Sequence, residues 1–311
     1  MSRYCFGVDV GGTTIKMGLF ESNGTMIDKW EIVTRSEENG KNIISDIADA
    51  IEEKIRKENL SKSDIDGVGI GVPGAVDSEG VVRQAVNIGW GVTEVEKDLN
   101  MKIGIQVKAG NDANVAALGE MWKGGGQGYK SIVMVTLGTG VGGGIIVNGK
   151  IVAGATGSGG EIGHIHVEDQ EEEACNCGNY GCLEQYTSAT GIVRLANRKL
   201  SETNKESVLR NSEVTAKAVF DAVKAGDELA MEIAEQFGEY LGKALAGIAG
   251  VCNPEAFVIG GGVSNAGNVL LDYVKKYYKP YVFKGSRGTD FVLATLGNDA
   301  GIFGSAKLVL E

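Results

Sequence analysis

The sequence predicts an α/β protein of two similar halves facing across a cleft, and three observations carry that prediction. Two glycine-broken strand pairs share one layout, Val8-Asp-Val-Gly-Gly-Thr-Thr-Ile-Lys-Met-Gly-Leu-Phe20 and Val135-Thr-Leu-Gly-Thr-Gly-Val-Gly-Gly-Gly-Ile-Ile-Val147. Apolar strands alternate with helical stretches in both halves, which gives α/β layers. Glycine supplies 48 of 311 residues and clusters beside the apolar strands, as expected of tight turns where backbone approaches a ligand.

The elements follow in order. Each glycine-broken pair reads as strand, Gly/Thr turn, strand, and further hairpin turns follow at Ser22-Asn23-Gly24 and Asn148-Gly149. An amphipathic helix is expected over about 40–59, a strand with its loop over 67–77, and a helix beginning near Asn111. Ala-rich helical stretches cover about 214–251. A buried strand, Ala256-Phe-Val-Ile259, meets Gly260-Gly-Gly262, and a last helix follows Gly297-Asn-Asp-Ala-Gly301. The expected division is 1–112, joined by 298–311, against 113–297.

Composition narrows the function. A hydrophobic content of 43% and mean hydropathy of −0.03 are those of a globular chain, with no apolar run of membrane-spanning length. Net charge −11 and a pI near 4.9 argue against a nucleic-acid-binding surface. The cysteine count is odd, and the first residues run into a strand with no basic and apolar leader. A reducing, cytoplasmic compartment is therefore expected, where closely spaced cysteines favour metal over disulfide.

The densest chemistry lies in Gly160-Glu-Ile-Gly-His164 and Cys175-Asn-Cys177-Gly-Asn-Tyr-Gly-Cys182-Leu-Glu184. One His with three Cys completes a tetrahedral, closed and hence structural Zn2+ set. His166 competes with His164. Their alternation along Ile-Gly-His-Ile-His-Val suggests a strand with both rings on one face, so spacing does not choose between them. Glu161 and Glu184 flank the ligands without being needed by the metal. They are candidates for gripping sugar hydroxyls, with Asn87 and Asn111 as further contacts.

Asp9-Val-Gly11-Gly12-Thr13-Thr-Ile-Lys16 places a carboxylate at a strand end, amides in the turn and a cation after it. Gly138-Thr139-Gly140 repeats the turn, and two such turns across a cleft would clasp a polyphosphate. Neither is a Walker A loop. Gly69-Ile-Gly71-Val-Pro-Gly74 and Gly138-Thr-Gly140-Val-Gly-Gly143 fit a dinucleotide fingerprint as strings but open no helix. Gly110-Asn111-Asp112 reads as a helix start, with Asn111 or Asp112 as the cap. A kinase also needs a carboxylate to accept the proton of the attacking hydroxyl while Mg2+ and the phosphate loops hold the transferred group. Asp112 can serve, its ionised form favoured at a helix N-terminus. Gly261 and Gly262, after a buried strand, offer bare backbone to a flat ring such as adenine.

Along essentially its whole length the chain resembles the sugar kinases of the ROK family, within the actin-like ATPase (ribonuclease H-like) superfold. The motifs that carry this are Asp9-x-Gly-Gly-Thr-x-x-Lys16, Gly138-Thr-Gly140, Asn111-Asp112, Glu161-x-Gly-His164 and Cys175-x-Cys177-Gly-x-x-Gly-Cys182-x-Glu184. The resemblance implies Asp112 as catalytic base, zinc on His164, Cys175, Cys177 and Cys182, and sugar contacts from Asn111, Glu161, His164 and Glu184. Gly71-Val-Pro-Gly74-Ala-Val-Asp77 and Asn87-Ile-Gly-Trp90 resemble the glucokinases of Gram-positive bacteria. The implied reaction moves the γ-phosphate of ATP to the C6 hydroxyl of glucose, with Mg2+, in a homodimer or homotetramer. Kinases of N-acetylmannosamine, fructose or mannose share these motifs. A sugar-responsive repressor of the same family would carry a winged helix before the first phosphate loop, for which Asp9 leaves no room.

Overall fold

The computed structural model describes residues 3–211 and 213–310. The first half supplies β1 (Tyr4–Val10), β2 (Thr14–Glu21), β3 (Met26–Val33), β4 (Ile65–Val72) and β5 (Val107–Asn111), in sheet order β3-β2-β1-β4-β5. The second supplies β6 (Ile132–Leu137), β7 (Val141–Val147), β8 (Lys150–Ile151), β9 (Ala256–Gly260) and β10 (Asp290–Leu293), in order β8-β7-β6-β9-β10. Within each half the order is third, second, first, fourth, fifth. The hairpin strands are antiparallel and the remaining pairs parallel.

The longer helices among the described residues are α1 (Ile43–Lys57), α2 (Val95–Ile103), α3 (Asp112–Lys123), α4 (Ala189–Glu202), α5 (Ala216–Lys224), α6 (Glu228–Cys252), α7 (Asn268–Tyr278) and α8 (Ala300–Leu308). α1 turns Ile43, Ile47, Ile51 and Ile55 to the first core, an i, i+4 stripe, with its charges outward except for the buried Lys54. The second core gathers Val135, Phe237, Leu241, Phe257 and Val274 from β6, α6, β9 and α7. Side chains start the second-half helices: Ser188, Thr215 and Asp227 accept from Gly191, Ala218 and Ala230 N–H at 2.9, 3.0 and 2.9 Å. Sequence reading omitted α2, α4 and α7. For α4 the signal was present, a Ser188 cap followed by Ile192, Leu195 and Ala196 on one face.

Two features correct the expected plan. Val10 pairs with Ile15 but Leu137 pairs with Val141, so the second turn is one residue shorter and the two hairpins superpose only as far as the turn. Several glycines serve packing instead of ligand approach. A Cβ on Gly69 would lie 1.6 Å from the Ser305 carbonyl oxygen, and one on Gly304 1.5 Å from that of Val115. These bare backbones let α8 lie close on the first sheet and against α3, where Ser305 Oγ donates to the Val8 carbonyl at 2.8 Å. Among the described residues no helix is long and apolar enough to cross a membrane.

Candidate active site

A cleft of about 830 Å³ runs between the two sheets. Its walls include Asp9 and Lys16 from the first hairpin, Thr136 and Gly142 from the second, and Asn111 and Asp112 at the start of α3. Strand ends and a helix N-terminus converge here because every parallel strand of both sheets runs toward this side, the usual location of ligands in α/β folds.

Asn111 is the cap of α3. Its Oδ1 accepts from Ala113 and Asn114 N–H at 3.0 and 3.2 Å, and its Nδ2 donates to the Gly74 carbonyl at 3.1 Å. Asp112 shares only the first of these amides. Its Oδ1 takes Ala113 N–H at 2.8 Å and Asn111 Nδ2 at 3.0 Å, while Oδ2 carries no hydrogen bond among the described residues. Burial in the cleft pushes the Asp112 carboxyl above the usual carboxylate range. Glu161 adds to the rise, and the Ala113 amide and Asn111 only partly oppose it. The helix terminus therefore loses to desolvation, the reverse of the sequence expectation.

Asp9 lies against the start of α8, where a Cβ on Gly301 would meet its carboxylate at 2.5 Å. Burial raises it to about 6; Lys16 opposes this and Asp112 contributes. Lys16 Nζ reaches the Asn298 carbonyl at 3.3 Å.

The Gly/Thr turns do not enter the wall of this cleft; Gly12, Thr13 and Thr139 are exposed. Nor are all their amides free. Gly11 N–H donates to Thr14 O at 3.0 Å and Gly138 N–H to Gly140 O at 2.9 Å, because a tight turn closes on itself. The available donors are the next two amides of each turn. Asn87 is also outside the wall, exposed, with its carbonyl 3.5 Å from where a Cβ on Gly12 would sit.

His164 ends a 3₁₀ turn, Ile162–His164, so the expected strand is absent; the only pairing here is a bridge between His166 and Cys182. The ring nitrogens of His166 are spent on Asp169 Oδ1 at 2.8 Å and the Tyr180 carbonyl at 2.9 Å. His164 turns Nδ1 to Cys175 Sγ at 3.7 Å and Nε2 to Glu161 Oε2 at 3.9 Å. The ligand atoms of His164, Cys175, Cys177 and Cys182 lie within 4.8 Å of one another, and Cys177 and Cys182 Sγ are 3.6 Å apart. Tetrahedral zinc with bonds of about 2.3 Å to sulfur needs sulfurs about 3.8 Å apart, so the set fits.

Glu161 is exposed and lines the cleft, but Glu184 is not in its wall. Glu184 Oε2 accepts Val141 N–H at 2.9 Å and Oε1 lies 3.7 Å from Cys175 Sγ, tying the cysteine loop to the second glycine turn. Gly261 and Gly262 line the cleft. Beyond them opens a cavity of about 350 Å³ that shares Gly262 and Asn265 with it and is bounded by Thr215, Lys217 and Phe220 of the α5 start. Sequence reasoning missed this wall, and it missed Glu120. That buried carboxylate takes Gly125, Thr295 and Leu296 N–H at 2.8, 3.0 and 2.8 Å, fixing the Thr295 side of the cleft to α3.

A model of the ROK family matches residues 5–311. The chain is 46% identical to a glucokinase of Halalkalibacterium halodurans over 99% of its own length and 96% of that protein. It is 38% identical to a glucokinase of Thermotoga maritima, over 98% and 96%. Among solved structures it is similar to a ROK family glucokinase from Streptomyces griseus in complex with glucose and AMPPNP. There the identity is 33%, the TM-score 0.72, and 98% of each chain is covered.

Proposed function

We propose, from the premise that this chain belongs to the ROK family, that it is an ATP-dependent hexose kinase, a glucokinase, which phosphorylates the C6 hydroxyl of glucose. The observation that carries the mechanism is Asp112, with a free Oδ2 in a cleft opposite Asp9 and Lys16. The sugar oxygen bonds to the γ-phosphorus as the bond from phosphorus to the ADP oxygen breaks, and the hydroxyl proton passes to Asp112 Oδ2. A carboxyl already above its usual range is suited to that transfer near neutral pH.

Lys16 and the amides of Gly12, Thr13, Thr139 and Gly140 would hold phosphate oxygens once the halves close, and Asp9 would hold the accompanying Mg2+, whose charge would offset that of the phosphates. Gly261 and Gly262 form the floor on which the base enters the 350 Å³ cavity. Glu161 and His164 Nε2 orient the ring, with Asn87 approaching from the first half; Asn111, whose side-chain amide is fully bonded, fixes the α3 start beside the ring, and Glu184 contributes chiefly by positioning the loop. Zinc on His164, Cys175, Cys177 and Cys182 would hold that loop rigid without entering the reaction. Closure also excludes water, which would otherwise take the phosphoryl group.

Five free thiols support a reducing, cytoplasmic setting. A homodimer or homotetramer would have a groove of about 980 Å³ between α4 and α6 to cover, floored by Leu195 and Ile248 and rimmed by Arg198, Lys243, Glu202 and Glu239. A mass of one chain in solution would overturn that assembly. The enzyme claim is tested by ADP release with Mg·ATP across glucose, mannose, fructose, N-acetylmannosamine and N-acetylglucosamine. Turnover led by glucose supports it. Preference for another sugar moves the specificity, and sugar binding without turnover overturns it.

A further inference from the structure

Asn114 follows Asp112 by two residues in the first turn of α3 and is 3% exposed. Its Oδ1 is fully shielded and accepts no hydrogen bond, and its side-chain nitrogen donates none among the described residues. An orphaned amide oxygen is costly, and a leucine would fill the same helical site without that cost. What faces it is the segment that delivers Glu161. A Cβ built on Gly160 would lie 3.5 Å from Asn114 Oδ1 and 2.8 Å from the Gly143 carbonyl oxygen of β7. The N–H groups of Gly160 and Glu161 likewise donate to nothing among the described residues, although the Gly160 carbonyl is engaged by Ile162 N–H at 2.7 Å. An unused acceptor on the helix of the base thus stands beside two unused donors on the segment of the sugar-gripping carboxylate.

We propose that Asn114 is a positioning residue: its side-chain oxygen accepts the backbone N–H of Gly160 or Glu161 when sugar is bound, setting the distance between Glu161 and Asp112. No charge is needed for this. The inference rests on the kinase reading for its effect on the sugar, while the hydrogen bond itself does not.

Asn114→Leu and Asn114→Asp test it, the second keeping an acceptor oxygen. The leucine variant should melt no lower than the parent and keep its bound metal. Its KM for glucose should rise about tenfold while KM for ATP stays within about twofold, and Asn114→Asp should recover most of the glucose KM. A merely space-filling Asn114 would leave both KM values of Asn114→Leu at the parent's, and that result overturns the proposal. Hydrogen exchange separates the two ideas, because it needs no turnover. The Gly160 or the Glu161 amide should exchange about tenfold faster in Asn114→Leu than in the parent under saturating glucose. Unchanged exchange overturns the hydrogen bond; an inactive parent overturns only the kinase reading.

Discussion

The two hairpins occupy equivalent places in two sheets of the same strand order, yet they bring opposite chemistry to one cleft. In the first, Asp9 pairs across the ladder with Lys16; in the second, the pair at the same level is Thr136 with Gly142. All four line the cleft. The first hairpin concentrates charge, as a site for a metal-bound polyphosphate requires. The second removes side chains so that α3 can approach: a Cβ on Gly144 would lie 2.6 Å from Ala117 Cβ and 2.8 Å from the Ala113 carbonyl oxygen. One duplicated frame therefore divides the work. One copy gathers the charged side chains, and the other brings in the helix that carries the candidate base.

The sharpest way to test this division is to remove what the second hairpin positions. Asp112→Ala should lower kcat by about 10²–10⁴-fold, the usual worth of a general base, with glucose binding and metal content retained. Calorimetric titration with glucose beside the rate checks it, and loss of sugar binding would give Asp112 a different role. Next comes Gly144→Ala. The added methyl displaces α3, so stability should fall by about 1–3 kcal/mol and kcat should drop with it. An unchanged melting temperature and rate would show that the helix does not depend on that bare strand.

Asp9→Asn breaks the first hairpin in the opposite sense. Asp9 is raised from 3.8 to about 6 in the fold, so the folded state binds the extra proton and stability rises as pH falls through that window. The charge cost is full above about pH 6 and gone below about pH 4. At pH 8 the asparagine variant should be about 3 kcal/mol more stable, although impaired in Mg·ATP binding, and the gap should close by pH 4. Melting curves across that range decide it; a gap that is constant with pH would point to packing. The smallest effect concerns Glu161→Gln. Glu161 helps hold Asp112 up, so the acid limb of kcat should move to lower pH in the variant. A limb that stays in place would assign the rise to burial alone.

Legibility in the sequence followed how local each interaction is. The strand–turn–strand units, α1 and the cysteine spacing are short-range patterns, and the fold follows them. The imidazole choice was not local. His164 and His166 are equivalent by spacing, and the loop's return from Ala174 to Cys182 spends both nitrogens of His166 on Tyr180 and Asp169. Capping at Asn111 or Asp112 was likewise undecided until Gly74 appeared as the second partner of Asn111 from 37 residues away. Glu184 read as a sugar contact, and its bond to the Val141 amide, 43 residues away at the start of β7, was not visible. Nothing in the local pattern marks Glu120 or Asn114, because both look like ordinary helix residues until their surroundings are known.

By itself the sequence determined the family, the two-sheet α/β plan, the residues able to bind metal and the candidate base, since these depend on residue type and short spacing. The tertiary structure alone decided which imidazole faces the sulfurs, which oxygen of Asp112 is left free, and whether desolvation or the helix terminus governs its proton. Those outcomes depend on which polar groups meet in space and how much water remains around them, and chain order does not specify either.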